Sequence, residues 1–391
     1  MFTRLTVNNS IIPVILVGPW VNILVRHGYF IIVMIVLVLS LCLLVTKISF
    51  RRYIYVDRVG IFLLLTIVYS IGFSLIYHIY FIGDAQQEAG YAVFTRFYGT
   101  VFALSIFWFF ALLANVNLKE QFFLFAGLFF LISFINIVWG GIVLISDFPR
   151  SWELMEHPNY ADGSGRPFGL TGNAAVNSTM LAVSYLFLCR ESSRTNIKLH
   201  WIWFSMLVIG ILVQSSGSGV AALAIVTLYY FRELSLKWKI GLVLLAVIIY
   251  FISYYLEFQV IYRMSPRYIL HNYIVNFNNV VAFNQLDLTF LDIMFGKAVS
   301  LGEAVLSTDL GPLFIYNQMG LVFFLAVTFL LFRIAFRLPG VDRYIILIIF
   351  ITGIHYQAIF FLSSSFIFSM YIVVALTDQG LRQRKNYFLE H

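Results

Sequence analysis

Charge is the scarcest property of this chain: Asp, Glu, Lys and Arg together supply 11% of its 391 residues, against about 25% in an ordinary soluble domain. So few ionised side chains cannot cover a water-facing surface, which excludes a soluble globular enzyme. Cysteine is rarer still. The two present, Cys42 and Cys189, sit near the ends of apolar runs with no CxxC or other metal-ligand spacing. That excludes a disulfide scaffold and leaves both thiols as small buried hydrophobes. There is no Walker A loop, dinucleotide fingerprint or HExxH, and no acidic cluster with metal-ligand spacing, so the common nucleotide and metal sites have no signature here. No small-residue cleavage site follows the first apolar run, so no removable signal peptide is expected.

What is abundant is apolar. Hydrophobic residues make up 61% of the chain, enough for about twelve spans of roughly 20 residues each. The expected fold class is therefore all-α: a polytopic membrane protein, one integral membrane domain over 1–391, with about twelve transmembrane helices. Apolar runs place the spans near 10–26, 28–46, 59–82, 92–115, 121–145, 168–189, 199–214, 217–231, 240–256, 310–331, 344–361 and 364–378. Pro13 and Pro19 interrupt the first, so its full crossing is left open. The eighth and the last are short, which suits a tilted, extended or partly re-entrant helix.

The net charge of +7 is a matter of sidedness in such a protein, not of affinity for nucleic acid, and no nucleic-acid partner is expected. With the C-terminal tail (Arg382, Arg384, Lys385) in the cytoplasm and strict alternation, the cytoplasmic side collects 18 Lys/Arg and 7 Asp/Glu. The outer side collects 7 Lys/Arg and 11 Asp/Glu. That is the positive-inside pattern, and it puts both termini in the cytoplasm. The long connections then lie outside, at 146–167 and at 257–309. The second carries Ile261, Tyr262, Tyr268, Ile269, Leu270, Tyr273, Ile274 and Phe277. That composition is too apolar for a disordered linker and predicts helices lying over the membrane mouth.

Basic residues in these loops are few: Arg150 and Arg166 in the first, and Arg263, Arg267 and Lys297 in the second. Guanidinium groups on an otherwise acidic face invite a phosphate, although pairing with Glu153, Glu156, Glu257 or lipid headgroups explains any one of them equally well. The Gly-rich stretch Gly165 to Asn173 runs into an apolar span, and amides at a helix start attract anions; glycine and asparagine are equally at home in helix packing. Asp309 opens the span near 310–331. It suits a helix cap before Leu310-Gly311-Pro312 and also a general base at the mouth of an outer cavity. Asp287, Asp292 and Glu303 compete for that second role. His78, His355 and Gln357 read as hydrogen-bonded helix contacts. His271-Asn272 is a better candidate for a polar site, with Tyr273 beside it. Trp152, Tyr160, Tyr268 and Tyr273 suit interfacial anchoring, and their rings also suit stacking on sugars. Gln214-Ser215-Ser216-Gly217-Ser218-Gly219 reads as a tight turn or close helix packing.

Taken in order, these motifs resemble the O-antigen polymerase and ligase superfamily of bacterial envelope proteins. The Gly-Arg-x-x-Gly-x-x-Gly-Asn stretch from Gly165 to Asn173 is followed by the Ser/Gly turn from Ser215 to Gly219, and then by a large outer loop with Arg263 and Arg267. Last come Asp309-Leu310, nine residues, and Gly320-Leu321-Val322-Phe323. Ligases of the superfamily carry His at the Asp309 position, so the departure favours a polymerase. His271-Asn272 has the ligase dipeptide but Ala282 where glycine belongs. Members often have Ser-Arg near the Ser/Gly turn, where this chain has Ser218-Gly219. The resemblance covers roughly residues 92–378. It implies a GT-C-like membrane glycosyltransferase of the bacterial inner membrane, inverting, independent of metal and without a cofactor, that joins undecaprenyl-diphosphate-linked oligosaccharide units on the periplasmic face. A polysaccharide chain-length regulator is the protein partner it implies. On that reading Arg166, Arg263 and Arg267 bind the diphosphate, Asp309 is the catalytic base, and His271 and Tyr273 touch sugar. The alternatives are an O-antigen ligase and a lipid-linked oligosaccharide flippase or transporter.

Overall fold

A computed structural model describes residues 58–81, 118–146, 169–171, 173–192, 197–214, 216–231, 287–296 and 311–355, with Pro167 and separate positions within 235–281 and 364–375. All regular elements among these residues are helices. They are α1 (Arg58–Phe81), α2 (Leu118–Ser146), a 3-10 turn (Gly169–Thr171), α3 (Ala174–Ser192), α4 (Ile197–Gln214), α5 (Gly217–Phe231), the short α6 (Phe290–Phe295), α7 (Gly311–Arg337) and α8 (Val341–His355). The chain is all-α over its described part. Among the described residues one stretch, Met319–Arg337, is by length and composition long and apolar enough to cross a membrane; Leu65–Ser74, Phe125–Gly140, Trp201–Gln214 and Gly217–Tyr230 are shorter apolar segments.

Helix α3 is the hub. Every residue from Ala174 to Cys189 is buried, and α2, α4, α5 and α8 pack around it. It is nevertheless the least apolar of the long helices. Small side chains explain how both hold at once: Ala174, Ala175, Ser178, Thr179, Ala182 and Ser184 let neighbouring backbones come close. Gly219 of α5 comes so near that an added Cβ would stand 2.6 Å from Ser178 Cβ. Many large apolar side chains of the surrounding helices point outward instead. Phe62 and Tyr69 on α1 are 67% and 65% exposed, and Phe336 on α7 is 77% exposed, while Ser70 and Ser74 on α1 are buried.

Aromatic packing fills the centre. Phe122 of α2 meets Phe187 of α3 edge-on at 4.5 Å between ring centroids, and Tyr371 packs against both rings. Helix directions follow from the end contacts. The C-terminal end of α3 meets the start of α8 through Arg190 and Asp342, and its N-terminal end meets the last residue of α4 through Asn177, Ser178 and Gln214. Both neighbours are therefore antiparallel to α3. Helices α7 and α8 form a hairpin turning at Gly340, whose φ of +61° is favoured by glycine.

Compared with the apolar runs, α1, α2, α4 and α5 begin and end within a few residues of the expected spans. Three differences have local causes. The run near 168–189 starts as a 3-10 turn, and the α-helix begins only after Asn173, which caps it. Helix α7 extends past 331 to Arg337 and is broken inside, at Gly320. Helix α8 starts at Val341, directly after the Gly340 turn. In 240–256 the described positions are helical and exposed; in 364–378 they are helical and buried. The described positions between Leu270 and Val281 are helical, as is α6, in keeping with the expectation of helices within 257–309. The runs near 10–26, 28–46 and 92–115 lie outside the described residues.

Candidate functional site

Two clusters bring together parts of the chain that the motifs single out. The first surrounds the end of the Gly-rich stretch. Asn173 caps α3: its Oδ1 accepts from the amides of Ala175 (2.9 Å) and Val176 (3.1 Å), and its carbonyl accepts from the amide of Asn177. Those amides, expected to attract an anion, already have a partner in the chain itself. Ahead of the cap, Gly169 has φ +67° and lies against the Asn177 carboxamide, so a Cβ there would collide with that side chain. Pro167 lies against Gly140 of α2, at 3.1 Å from an added Cβ. Gln214 closes the cluster. Its Nε2 donates to the Pro167 carbonyl at 3.1 Å, while its Oε1 accepts from Ser178 Oγ (2.8 Å) and Asn177 Nδ2 (3.4 Å). A carbonyl only accepts, so the nitrogen must face Pro167, and this fixes the amide orientation. Asn177 in turn exchanges hydrogen bonds with Ser133 of α2. Ser133, Asn177, Ser178 and Gln214 are each 0% exposed. Ser216 caps α5, accepting from the Gly219 amide at 3.3 Å.

The second cluster lies where α6, within 257–309, packs against α1 and α7, which also pack on each other. Asp292 is buried and both of its carboxylate oxygens are engaged. Oδ1 accepts from Tyr77 of α1 at 2.8 Å. Oδ2 accepts from the amide (2.8 Å) and hydroxyl (2.7 Å) of Thr289, which completes a capping box at the start of α6. Ser74 of α1 donates to the Phe295 carbonyl at 2.7 Å. On the other side α7 is interrupted. Gly320 has φ +79° and ψ 174°, and the Met294–Phe295 backbone occupies the place where a Cβ would project. Only glycine meets both demands, the left-handed φ and the contact of backbone on backbone.

Asp292, one of three carboxylates that compete with Asp309 in the sequence, has a structural role: it closes a helix. Asp287 is exposed, and His271 occupies an exposed helical position of the large loop. Arg166, Arg263, Arg267, Tyr273, Glu303 and Asp309 lie outside the described residues, as do Arg150, Lys297, Trp152, Tyr160 and Tyr268. The described residues therefore neither join nor separate the diphosphate and base candidates.

Three polar groupings escape a reading of the sequence: Asn177 with Gln214, Tyr77 with Asp292, and the buried pair of Arg190 and Asp342. A signal for the first exists, because Asn177 and Gln214 are large amides inside apolar runs, where a polar side chain needs a specific partner. Comparison with protein-family models, curated proteins and solved structures returns no match.

Proposed function

We propose that the chain is a polytopic membrane glycosyltransferase, an O-antigen-type polymerase, joining undecaprenyl-diphosphate-linked oligosaccharide units on the outer face of a bacterial inner membrane. The observation that carries the reading is the docking of α6 at Gly320. This glycine stands at the motif spacing from Asp309, and its contact with Met294 and Phe295 ties the large outer loop to the helix that Asp309 precedes. The glycine of the motif thus acquires a physical reason. A bilayer as solvent is supported by the many exposed large apolar side chains such as Phe62, Tyr69 and Phe336, the buried serines and amides, and the excess of Lys and Arg on one side of the alternating layout. The antiparallel contacts of α3 with α4 and α8 are those that strict alternation requires.

In this reading Arg166, Arg263 and Arg267 hold the diphosphate. Asp309 takes the proton of the acceptor sugar hydroxyl, whose oxygen attacks the anomeric carbon as the bond to the lipid diphosphate breaks. The configuration inverts, and undecaprenyl diphosphate leaves with the bonding electron pair. Diphosphate is a good leaving group, so no acid is required. Guanidinium groups facing the departing oxygens contribute several kcal/mol, and the base contributes about 10²–10⁴-fold. His271 and Tyr273 are proposed sugar contacts, and a chain-length regulator is the proposed protein partner. Arg166→Ala, Arg267→Ala and Asp309→Ala should each abolish long-chain polymer in cells while the protein remains inserted. An unchanged ladder of chain lengths in all three contradicts the assignment.

A further inference from the structure

We propose that the turn between α7 and α8 binds an anionic phospholipid, its phosphate on Arg343 and Arg337 and its acyl chains along exposed phenylalanines of α7. The inference uses the bilayer of the reading above and none of its transfer chemistry. Contacts define this end of the bundle. The C-terminal end of α3 meets the start of α8 through Arg190 and Asp342, and Tyr229, near the end of α5, lies 5.3 Å from Tyr344 between ring centroids. Helix α7 turns into α8 here through Leu338, Pro339 and Gly340. Among the described side chains the carboxylates at this end, Glu191 and Asp342, both lie on Arg190. With Arg333, Arg337 and Arg343 added, the end carries more positive than negative charge. Basic groups between helices on the cytoplasmic side suit anionic lipid headgroups.

Arg343 is the least explained by the fold alone. It is exposed and lies in the first turn of α8, where the helix macrodipole disfavours a cation and a phosphate beside it would restore the balance. Phe350, two turns further on the same face of α8, meets Phe332 of α7 at 4.6 Å between ring centroids. That face therefore turns toward the seam with α7. On α7, Arg333 and Arg337 are one turn apart. Arg337 already has a contact within the chain, but a guanidinium has five N–H donors, which leaves others for a phosphate. Beside the two arginines runs an exposed apolar line, Phe329, Phe332 and Phe336, with the last two rings stacked at 6.2 Å. Cations at the turn and an apolar track leading away from them match a phosphate headgroup with its acyl chains.

The test titrates the full chain in detergent with dioleoyl phosphatidylglycerol, and separately with dioleoyl phosphatidylcholine and with glycerol 3-phosphate. Retained lipid is read by native mass spectrometry, together with the thermal midpoint. Wild type is expected to retain phosphatidylglycerol and to gain thermal stability from it, with neither effect from phosphatidylcholine or glycerol 3-phosphate. Arg343→Gln should bind phosphatidylglycerol about fivefold more weakly, and Arg343→Gln with Arg337→Gln about thirtyfold more weakly. Arg343→Lys, which keeps the charge, and Lys237→Gln, an exposed cation outside the turn, should bind within about twofold of wild type. Should the double variant fail to fold, Arg343→Gln decides alone, because its side chain is exposed. Equal binding by wild type and Arg343→Gln overturns the inference, as does equal retention of phosphatidylcholine. A loss of the same size in Lys237→Gln also overturns it, since the attraction would then belong to the whole basic face. None of these outcomes bears on polymer formation, so the functional reading stands or falls separately.

Discussion

Arg190 Nη1 lies 2.6 Å from Asp342 Oδ1, joining the C-terminal end of α3 to the start of α8, with each side chain 8% exposed. Tyr371 donates to the same oxygen at 2.9 Å, Glu191 stands 3.1 Å from Arg190 Nε, and the guanidinium lies over the Phe187 ring. A buried charge is tolerable only with its partner, so removing one member costs about 3–5 kcal/mol. Arg190→Met alone should lower the thermal midpoint in detergent markedly. Adding Asp342→Leu should recover much of that loss, because the orphaned carboxylate goes with it. Equal midpoints for Arg190→Met and wild type would show that the pair does not hold α3 to α8.

Gly320→Ala places a methyl group against the Met294–Phe295 backbone and forces an L-residue into a left-handed φ. The conformational strain alone is about 1–2 kcal/mol, before any displacement of α6. The expected result is faster proteolysis within 257–309 and loss of polymer in cells, with membrane insertion kept. An unchanged digestion pattern would mean that α6 does not depend on the break.

A paired glycine comparison isolates the first cluster. Gly169→Ala collides with Asn177, whereas Gly217→Ala meets nothing within 4 Å. The first should destabilise by at least the roughly 1–3 kcal/mol typical of overpacking, and the second should lie within about 1 kcal/mol of wild type. Thermal midpoints of the two variants decide it, and equal values contradict the packing of Gly169 on Asn177.

Asp292 and Asp309 separate a helix cap from the proposed base. Asp292→Asn keeps one acceptor for Thr289 and gains a donor that Tyr77 can accept, so polymer formation should persist. Asp309→Asn should abolish it. Polymer lost in the first variant and kept in the second would exchange the two roles.

Much of the helical layout was legible because apolar length is a property of single segments: α1, α2, α4 and α5 follow directly from runs of Phe, Leu, Ile and Val. The break in α7 was not, because a glycine inside an apolar run looks the same whether the helix continues or not, and Gly320 is decided by the α6 backbone beside it. Asn173 illustrates the same limit at the candidate site. Its position before an apolar run is a cap signal and an anion signal alike, and the hydrogen bonds to Ala175 and Val176 settle which. Pro167 lies 47 residues from its partner Gln214, and Asp342 lies 152 from its partner Arg190, separations that local periodicity does not encode.

The most direct measurement incubates purified full-length protein with undecaprenyl-diphosphate-linked repeat units in nanodiscs, without added metal, and resolves the products by size. Dimers and longer oligomers, released together with free undecaprenyl diphosphate, are the expected result. Unchanged monomer contradicts the reading, as does product formed only when a lipid A core acceptor is supplied, or substrate moved across the bilayer with no glycosidic bond made.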